Sequence, residues 1–523
     1  MRTPSGRLAR GFAFYRHSLL LDGCLGFKRK SATFSQFQPK SLTFNLANLK
    51  VLEMKSTQLH LFLITLLMLC ASATAKAQVS SELHIEDVTV IDVKGGPPQP
   101  HRCVIVQSDR ISDVADQEKC ERRHDQATRI GGKGKFLIPG LWDMHVHMVF
   151  GDWFPRGQEV TLPLFIANGI TGVRDMGGEL DVLQQWRKEI SAGRLIGPRI
   201  VMSGPMLDGP QPRFPSSIAI KSPEDGRRAV DDLTKRGADF IKLQSLIPRD
   251  AVFAIADEAK KQGITFVGHV PDSVRASEMS NAGQKSFEHL IGIFEGSSPL
   301  EAEFIKGAKN ESKFLSTYDP KRAAALFALL AKNHTWQCPT LVWERGGNLI
   351  DQTDFAHDTR EKYVPAYWKD VTWKRFTDEI MHDFNVDDIA TRKAFVAKQL
   401  EVVNEMHHAA VPFLAGTDTP PGVYIFPGFS LHEELQRFVA AGFTSLEALQ
   451  TATLNPAKFF GRETDLGTIE TGKLADLVLL DANPLDDISN TQRIVAVIFN
   501  GRYLSRSDID KMLAGAEEAA KAK

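Results

Sequence analysis

Cysteine is scarce in this chain, with five residues among 523, and only Cys103, Cys120 and Cys338 lie beyond residue 78. So sparse and odd a set is no disulfide framework, which leaves an apolar core to hold the fold. Cys103 and Cys120 either pair across a small β-domain in an oxidising compartment or remain two buried thiols, and both readings stand. Excess charge is also missing: Lys+Arg 63 stand against Asp+Glu 64, for a formal net charge of -1. That balance offers no electrostatic reason for a nucleic-acid partner and points to a small-molecule substrate. Long apolar runs are absent near the front, where Leu61 to Cys70 is too short to make a comfortable spanning helix.

What that front segment does contain is a basic start at Met54-Lys55, the apolar stretch, and the small-residue ending Ala75-Lys76-Ala77 before Gln78. This order describes a secretory signal over 54–77, cleaved after Ala77, and predicts a periplasmic or secreted protein with no stable membrane span after cleavage. An uncleaved membrane anchor is the alternative. Cys70 follows Leu69, where lipid attachment needs a small residue, so no lipidation is expected. Residues 1–53 carry scattered Arg and Lys, few acids, several Phe and no periodicity. They are assigned no fold: a disordered or mis-annotated extension upstream of Met54, with an organellar targeting segment as the alternative.

The remainder, 43% hydrophobic and 24% charged over the whole chain, has an ordinary globular composition and length for a large core. Short strands and turns fill residues 78–136, including Val88 to Ile91, a Gly95-Gly96-Pro97-Pro98 break, and Cys103 to Val106. A matching part at 461–510 has Asp476 to Leu480 and Val495 to Phe499, with Asn500-Gly501 marking a hairpin turn. The two ends are expected to build one β-sandwich, followed by a tail at 511–523.

Between them, over 137–460, strand-like and helix-like stretches alternate. Eight strands are placed near 138–147, 170–176, 198–204, 239–244, 265–270, 285–290, 335–343 and 411–418. Helix starts fit this reading: Ser222-Pro223 offers a cap with proline in the first turn, and Ser430…Glu433 and Thr444…Glu447 have capping-box spacing. Eight βα units close a TIM-type (β/α)8 barrel, whose strand C-termini converge on one active face. A helical insertion of about 344–408, with Phe355, Tyr363, Tyr367, Trp368, Trp373 and Phe376, is expected either to roof that face as a lid or to pack its own aromatics on the surface.

Metal-binding residue types stand at the strand ends. His145 and His147 alternate with Val146 and therefore share one face of the first strand. Lys242 closes Asp-Phe-Ile-Lys; a buried lysine near metals can lose its proton and add carbon dioxide, giving a carbamate that bridges two ions. His269 and His289 supply imidazoles for a second ion, and Asp418 within Ala415-Gly-Thr-Asp-Thr can bind metal and hold a water's proton. Structural alternatives are a lysine snorkelling from its strand end and buried histidines satisfied by backbone. Arg174 and Arg345 could fork onto a substrate carboxylate, against the commoner structural ion pair.

These motifs, with Pro139 to His147, Gly172 to Gly177, Gly268-His-Val, Glu288-His-Leu, Gly416-Thr-Asp and the tail from Gly467 to Val478, resemble the amidohydrolase superfamily. The resemblance covers about 82–505 and is nearest to the imidazolonepropionase-like and Xaa-Pro dipeptidase-like members. It implies a barrel with a composite β-sandwich and two divalent metals, commonly zinc. It further implies His145, His147 and Asp418 on one metal, His269 and His289 on the other, and carboxylated Lys242 between them. Lys242 argues against the single-metal imidazolonepropionases. The activity implied is hydrolysis of a C–N amide bond in a dipeptide of the Xaa-Pro kind or an N-acyl amino acid, by water acidified between the metals with Asp418 moving the proton. Alternatives are a lactonase or cyclic-amide hydrolase on the same centre, or a non-catalytic barrel binding protein; self-association into a homo-oligomer is left open.

Overall fold

The structure, a computed structural model, describes residues 82–121, 126–151, 153–214, 216–307, 310–349, 357–375, 389–420 and 422–522. The extension at 1–53, the signal at 54–77, Phe355 and Phe376 lie outside the described residues. Among the described residues no helix is long and apolar enough to cross a membrane.

Both ends of the chain meet in one sheet. Strands Glu82–Val90, Gln99–Gln107 and Arg110–Asp116 come from the front, and Leu477–Leu480, Ile494–Phe499 and Arg502–Ser505 from the end. Phe136–Pro139 joins them, pairing antiparallel with Leu477–Leu480 and parallel with Glu82–Val90. Alternation of side chains makes this sheet a shared wall. Leu137, Leu477 and Leu479 enter the core of the terminal β-domain, whereas Ile138, Val478 and Leu480 enter the barrel core. The Asn500-Gly501 hairpin forms as expected, both residues having positive φ (49° and 73°), as a two-residue turn between right-twisted strands requires. The structure joins Cys103 to Cys120 by a disulfide and leaves Cys338 free and buried.

The barrel follows, with parallel strands at Leu141–Val146, Ile170–Asp175, Arg199–Met202, Ile241–Leu243, Phe266–Gly268, Ser286–Glu288 and Trp336–Cys338. The third and fourth strands connect where Asp239 N–H donates to the Met202 carbonyl at 2.9 Å. The eighth segment closes the ring through isolated parallel bridges, Gln337 to Phe413 on one side and Val146 to Thr419 on the other. The (β/α)8 barrel with its composite β-sandwich is therefore the fold.

Four expectations need correction. The first strand is not continuous over 138–147: at Gly140 the chain leaves the terminal sheet for the barrel, and a Cβ there would lie 2.1 Å from Thr171 Oγ1. The seventh strand stops at Cys338, and Leu341–Asn348 is already helix, started through Thr340 in the left-handed region. Ser430 does not cap its helix; Phe429–Ala440 begins one residue earlier, and Ser430 Oγ instead accepts from Phe426 N–H. The tail is a helix, Arg506–Lys521, opened by a Ser505/Asp508 capping box and burying Ile509, Ala516 and Ala520. Ser222 and Thr444 cap as their spacing predicts.

The insertion after the seventh strand is helical where it is described, with a turn at Thr359–Tyr363, a π-helical segment at Trp368–Trp373 and a helix at Ile389–His408. It is tied to loops leaving the active face. Trp368 Nε1 donates to the Pro155 carbonyl at 3.1 Å, Thr372 Oγ1 to that of Trp153 at 2.8 Å, and Trp373 Nε1 to that of Pro420 at 3.4 Å. Tyr363, Trp368 and Trp373 thus share a buried cluster with Phe150, Phe154 and Phe426 rather than packing alone, whereas Tyr367 is exposed.

Candidate metal centre

Strand alternation puts His145 and His147 on the inside of the first barrel strand, and Asp418 reaches them from the eighth. His145 Nε2 lies 3.5 Å and His147 Nε2 3.2 Å from Asp418 Oδ1, with His289 Nε2 3.9 Å from Asp418 Oδ2. The His269 ring stands 5.1 Å from that of His289, centroid to centroid. One set of possible ligand atoms, from His145, His289 and Asp418, falls within 4.8 Å of one another.

Special backbone makes this convergence possible. Gly416 lets the eighth segment touch the first, since a Cβ there would meet His145 N at 2.9 Å and Cys338 Sγ at 2.6 Å. Asp143 staples the same two segments, accepting from His145 N–H, Thr417 N–H and Thr417 Oγ1 at 3.2, 3.1 and 2.7 Å. Burial nevertheless pushes its carboxyl up to about 7. His289 and Asp418 have φ of 61° and 60°, an uncommon conformation for these residue types that concentrates at functional sites. At His289 it breaks the strand's alternation, so that Glu288 and His289, though consecutive, both reach the interior.

Each histidine is held by its Nδ1. His145 Nδ1 meets Glu288 Oε2 at 2.8 Å, and His147 Nδ1 donates to the Gly177 carbonyl at 3.0 Å. His289 Nδ1 lies 2.6 Å from Thr340 Oγ1, whose own hydrogen goes to the Pro339 carbonyl, so the imidazole is the donor. His269 Nδ1 is 2.8 Å from Ser245 Oγ. Occupied Nδ1 atoms leave the Nε2 atoms as ligand atoms, the arrangement found around metal-binding imidazoles. Burial, reinforced by neighbouring charge, holds His145 and His269 well below the usual histidine range and His289 at about 3. All three are neutral near pH 7, as ligation requires. Buried His432 is the contrast: both its ring nitrogens are satisfied, by Thr491 Oγ1 and the Asn168 carbonyl.

Lys242 is fully buried, and its Nζ has no hydrogen-bond partner. Gly268 gives its side chain room, because a Cβ there would lie 2.8 Å from Lys242 Cδ. Burial lowers its pKa to about 8, and its charge in turn bears on His145, His269 and His289. His145 Nε2 and Asp418 Oδ1 are likewise buried without partners. Buried polar atoms normally find partners, so three orphans in one cluster of imidazole, carboxylate and amine fit a site for divalent metal.

Arg174 does not serve a substrate here. It is fully buried beneath the cluster, where its Nη2 lies 3.0 Å from each Glu288 oxygen, Nη1 donates to Ser286 Oγ, and Nε donates to the Met144 carbonyl. A guanidinium at a barrel strand's end is satisfied here from inside. Arg345 is likewise engaged, 3.6 Å from Glu433, which Arg360 also holds at 2.7 Å.

Glu288 stands in the Glu288-His-Leu motif, yet nothing in the sequence gives it a role, because only the fold shows His145 and Arg174 on either side of that carboxylate. Glu288→Gln is expected to weaken metal binding about 10–100-fold by loosening His145. It should also destabilise the protein by about 3–5 kcal/mol by stranding the Arg174 charge. Metal titration and denaturant unfolding read the two effects; wild-type metal affinity would detach Glu288 from the centre. Nor does the sequence announce an aromatic wall beside His147, in which Phe150 stacks edge-on to His147 at 5.3 Å and to Phe214 at 5.0 Å, with Trp153 joining Phe214 at 5.6 Å. Arg213 lies over Phe214 at 5.2 Å, and its charge acts on His269.

Comparison with known proteins agrees with this fold. The sequence profile of the amidohydrolase family matches residues 136–504. An ochratoxinase of Aspergillus niger is 23% identical over 462 residues, covering 77% of this chain and 82% of that protein. An imidazolonepropionase of Vibrio campbellii is 23% identical over 461 residues, covering 82% and 100%. Among solved structures, bottromycin amidohydrolase superposes with a TM-score of 0.66 at 22% identity, covering 85% of this chain and 92% of that one. A Xaa-Pro dipeptidase with bound methionine in its active site gives 0.62 at 21%, covering 81% and 100%.

Proposed function

This chain belongs to the amidohydrolase family and is a hydrolase of C–N amide bonds, and we propose that its substrate is a small dipeptide of the Xaa-Pro kind or an N-acyl amino acid. The observation that carries the reading is the set of four histidines, each engaged through Nδ1, around the partnerless Asp418 Oδ1 and Lys242 Nζ. The names of the relatives support the same chemistry.

His145, His147, His269, His289 and Asp418 would hold two divalent ions, zinc by the chemistry of the donors, with Lys242 between them as a carbamate. Such ions, when bound, lower the pKa of water and polarise a carbonyl. A Lys242 pKa of about 8 leaves a usable fraction of neutral amine near pH 7, which adds carbon dioxide and releases a proton. Asp418 takes a proton from the attacking water as the new C–O bond forms, and delivers it to the nitrogen as the C–N bond breaks. Phe150, Phe214 and Trp153 give an apolar side chain a dry wall beside His147.

The test is metal analysis of purified protein followed by a panel of dipeptides, N-acyl amino acids, cyclic amides and lactones. Hydrolysis of acyl amino acids or dipeptides is expected; opening of lactones with open-chain amides untouched would overturn the substrate proposal. The segment from Met54 to Ala77 supports export, and N-terminal sequencing of protein recovered outside the cytoplasm should then begin at Gln78. A start at Met54 in that fraction would refute the cleavage.

A further inference from the structure

At the end of the barrel opposite the histidines, where the strands begin, the protein contains a cavity of about 440 Å³. The lead-in residues of the third to sixth strands form its rim, Phe459 and Phe460 of helix Leu454–Phe460 its floor, and Phe499 of the terminal sheet one side. Its volume lies in the range of small-molecule sites, and it opens to solvent.

The lining is unlike a packing fault. Trp142 and Phe460 pack at 5.1 Å with their planes inclined by 56°, and Phe460 and Phe459 at 5.4 Å and 78°, an edge-to-face aromatic cluster of which Phe460 is the most exposed ring. Against it stand four cations, Arg187, Arg199, Lys285 and Arg462, and the single acid Asp239. Three of the cations are neutralised: Arg187 by Asp239 at 2.7 Å, Arg199 by Asp476 at 2.6 Å and Arg462 by Asp465 at 3.2 Å. Lys285 has no carboxylate partner among the described residues, and its Nζ sits 4.7 Å above the Phe459 ring. The cavity therefore presents one cation without a carboxylate partner, standing over an aromatic ring.

We propose that this cavity binds a small organic monoanion, an aryl carboxylate, with its carboxylate on Lys285 and its ring beside Phe460, the most exposed member of the aromatic cluster. One charge matches one charge, and an aryl ring can meet a tilted aromatic ring edge to face. The site is separate from the metal centre: Phe240 and Phe459 stand between the cavity and Arg174, whose guanidinium lies 5.9 and 5.1 Å from their ring centroids. Neither Lys285 nor the aromatic cluster belongs to the hydrolytic machinery, so the proposal does not depend on which amide the enzyme cleaves.

Calorimetric titration of the metal-replete enzyme with 1-naphthoate tests it. Saturable binding is expected, weakened about tenfold or more in Lys285→Met and retained in Lys285→Arg. Amide hydrolysis should be unchanged in both variants, and thermal unfolding checks that each is folded. Arg213→Met, altered beside the metal centre, should bind the probe like the wild type. No saturable binding to the wild type would overturn the proposal. So would equal affinity in Lys285→Met, or loss in Arg213→Met with Lys285→Met unaffected, which would assign the probe to the metal centre.

Discussion

Asp418→Asn is expected to lower kcat by about 10³-fold or more while leaving the protein folded, a loss within the range for a general acid–base group. The exchange is nearly isosteric, and Asn tolerates the left-handed backbone that Asp418 adopts. The Asp418 N–H would still donate to the His145 carbonyl, 2.7 Å away, so the eighth segment keeps its place. What disappears is a charged oxygen, Oδ1, which lies among the histidine Nε2 atoms without a hydrogen bond of its own. An amide cannot take a proton from water at pH 7. Because the group works in the chemical step, kcat and kcat/KM should fall together while KM changes little. Metal should be largely retained on the four histidines, as metal analysis would show. Turnover within a few-fold of wild type would remove Asp418 from proton transfer.

How much of this site was legible depends on the range of the interaction involved. Side-chain alternation is local, so His145 and His147 on one face could be read directly, as could apolar runs ending in Lys242, His269 and Asp418. The partners of those residues are long-range. Glu288 lies 143 positions from His145, and no pattern within either strand announces their contact. Arg174 illustrates the same limit, since an arginine at a strand end looks available until Glu288 and Ser286 appear beneath it. The eighth strand was located correctly, but the close approach at Gly416 leaves only isolated bridges at Phe413 and Thr419. The last helix, where the sequence suggests only a tail, is announced by the capping spacing of Ser505 and Asp508, and Ile509, Ala516 and Ala520 fall on its buried face.

Lys242→Ala separates a metal-bridging lysine from a structural one. A structural lysine would be missed through its contacts, yet Lys242 Nζ makes no hydrogen bond and is shut away from water. Burying an amine in that way costs stability, so removal of the charge should offset much of what the lost side-chain packing contributes. Thermal stability of the metal-free protein is then expected to change little. Metal content should respond quite differently. With no amine to carry a carbamate, the variant should bind less than its full complement of metal, and added bicarbonate should not restore it. Turnover should fall at least about 10²-fold, because the charge stabilisation provided by an ion amounts to several kcal/mol. Neutral imidazoles at His145, His269 and His289 would still hold part of the metal, so the loss should be partial. Full metal content with full rate in Lys242→Ala would exclude the bridge and leave the burial of this lysine among four histidines without a catalytic reason.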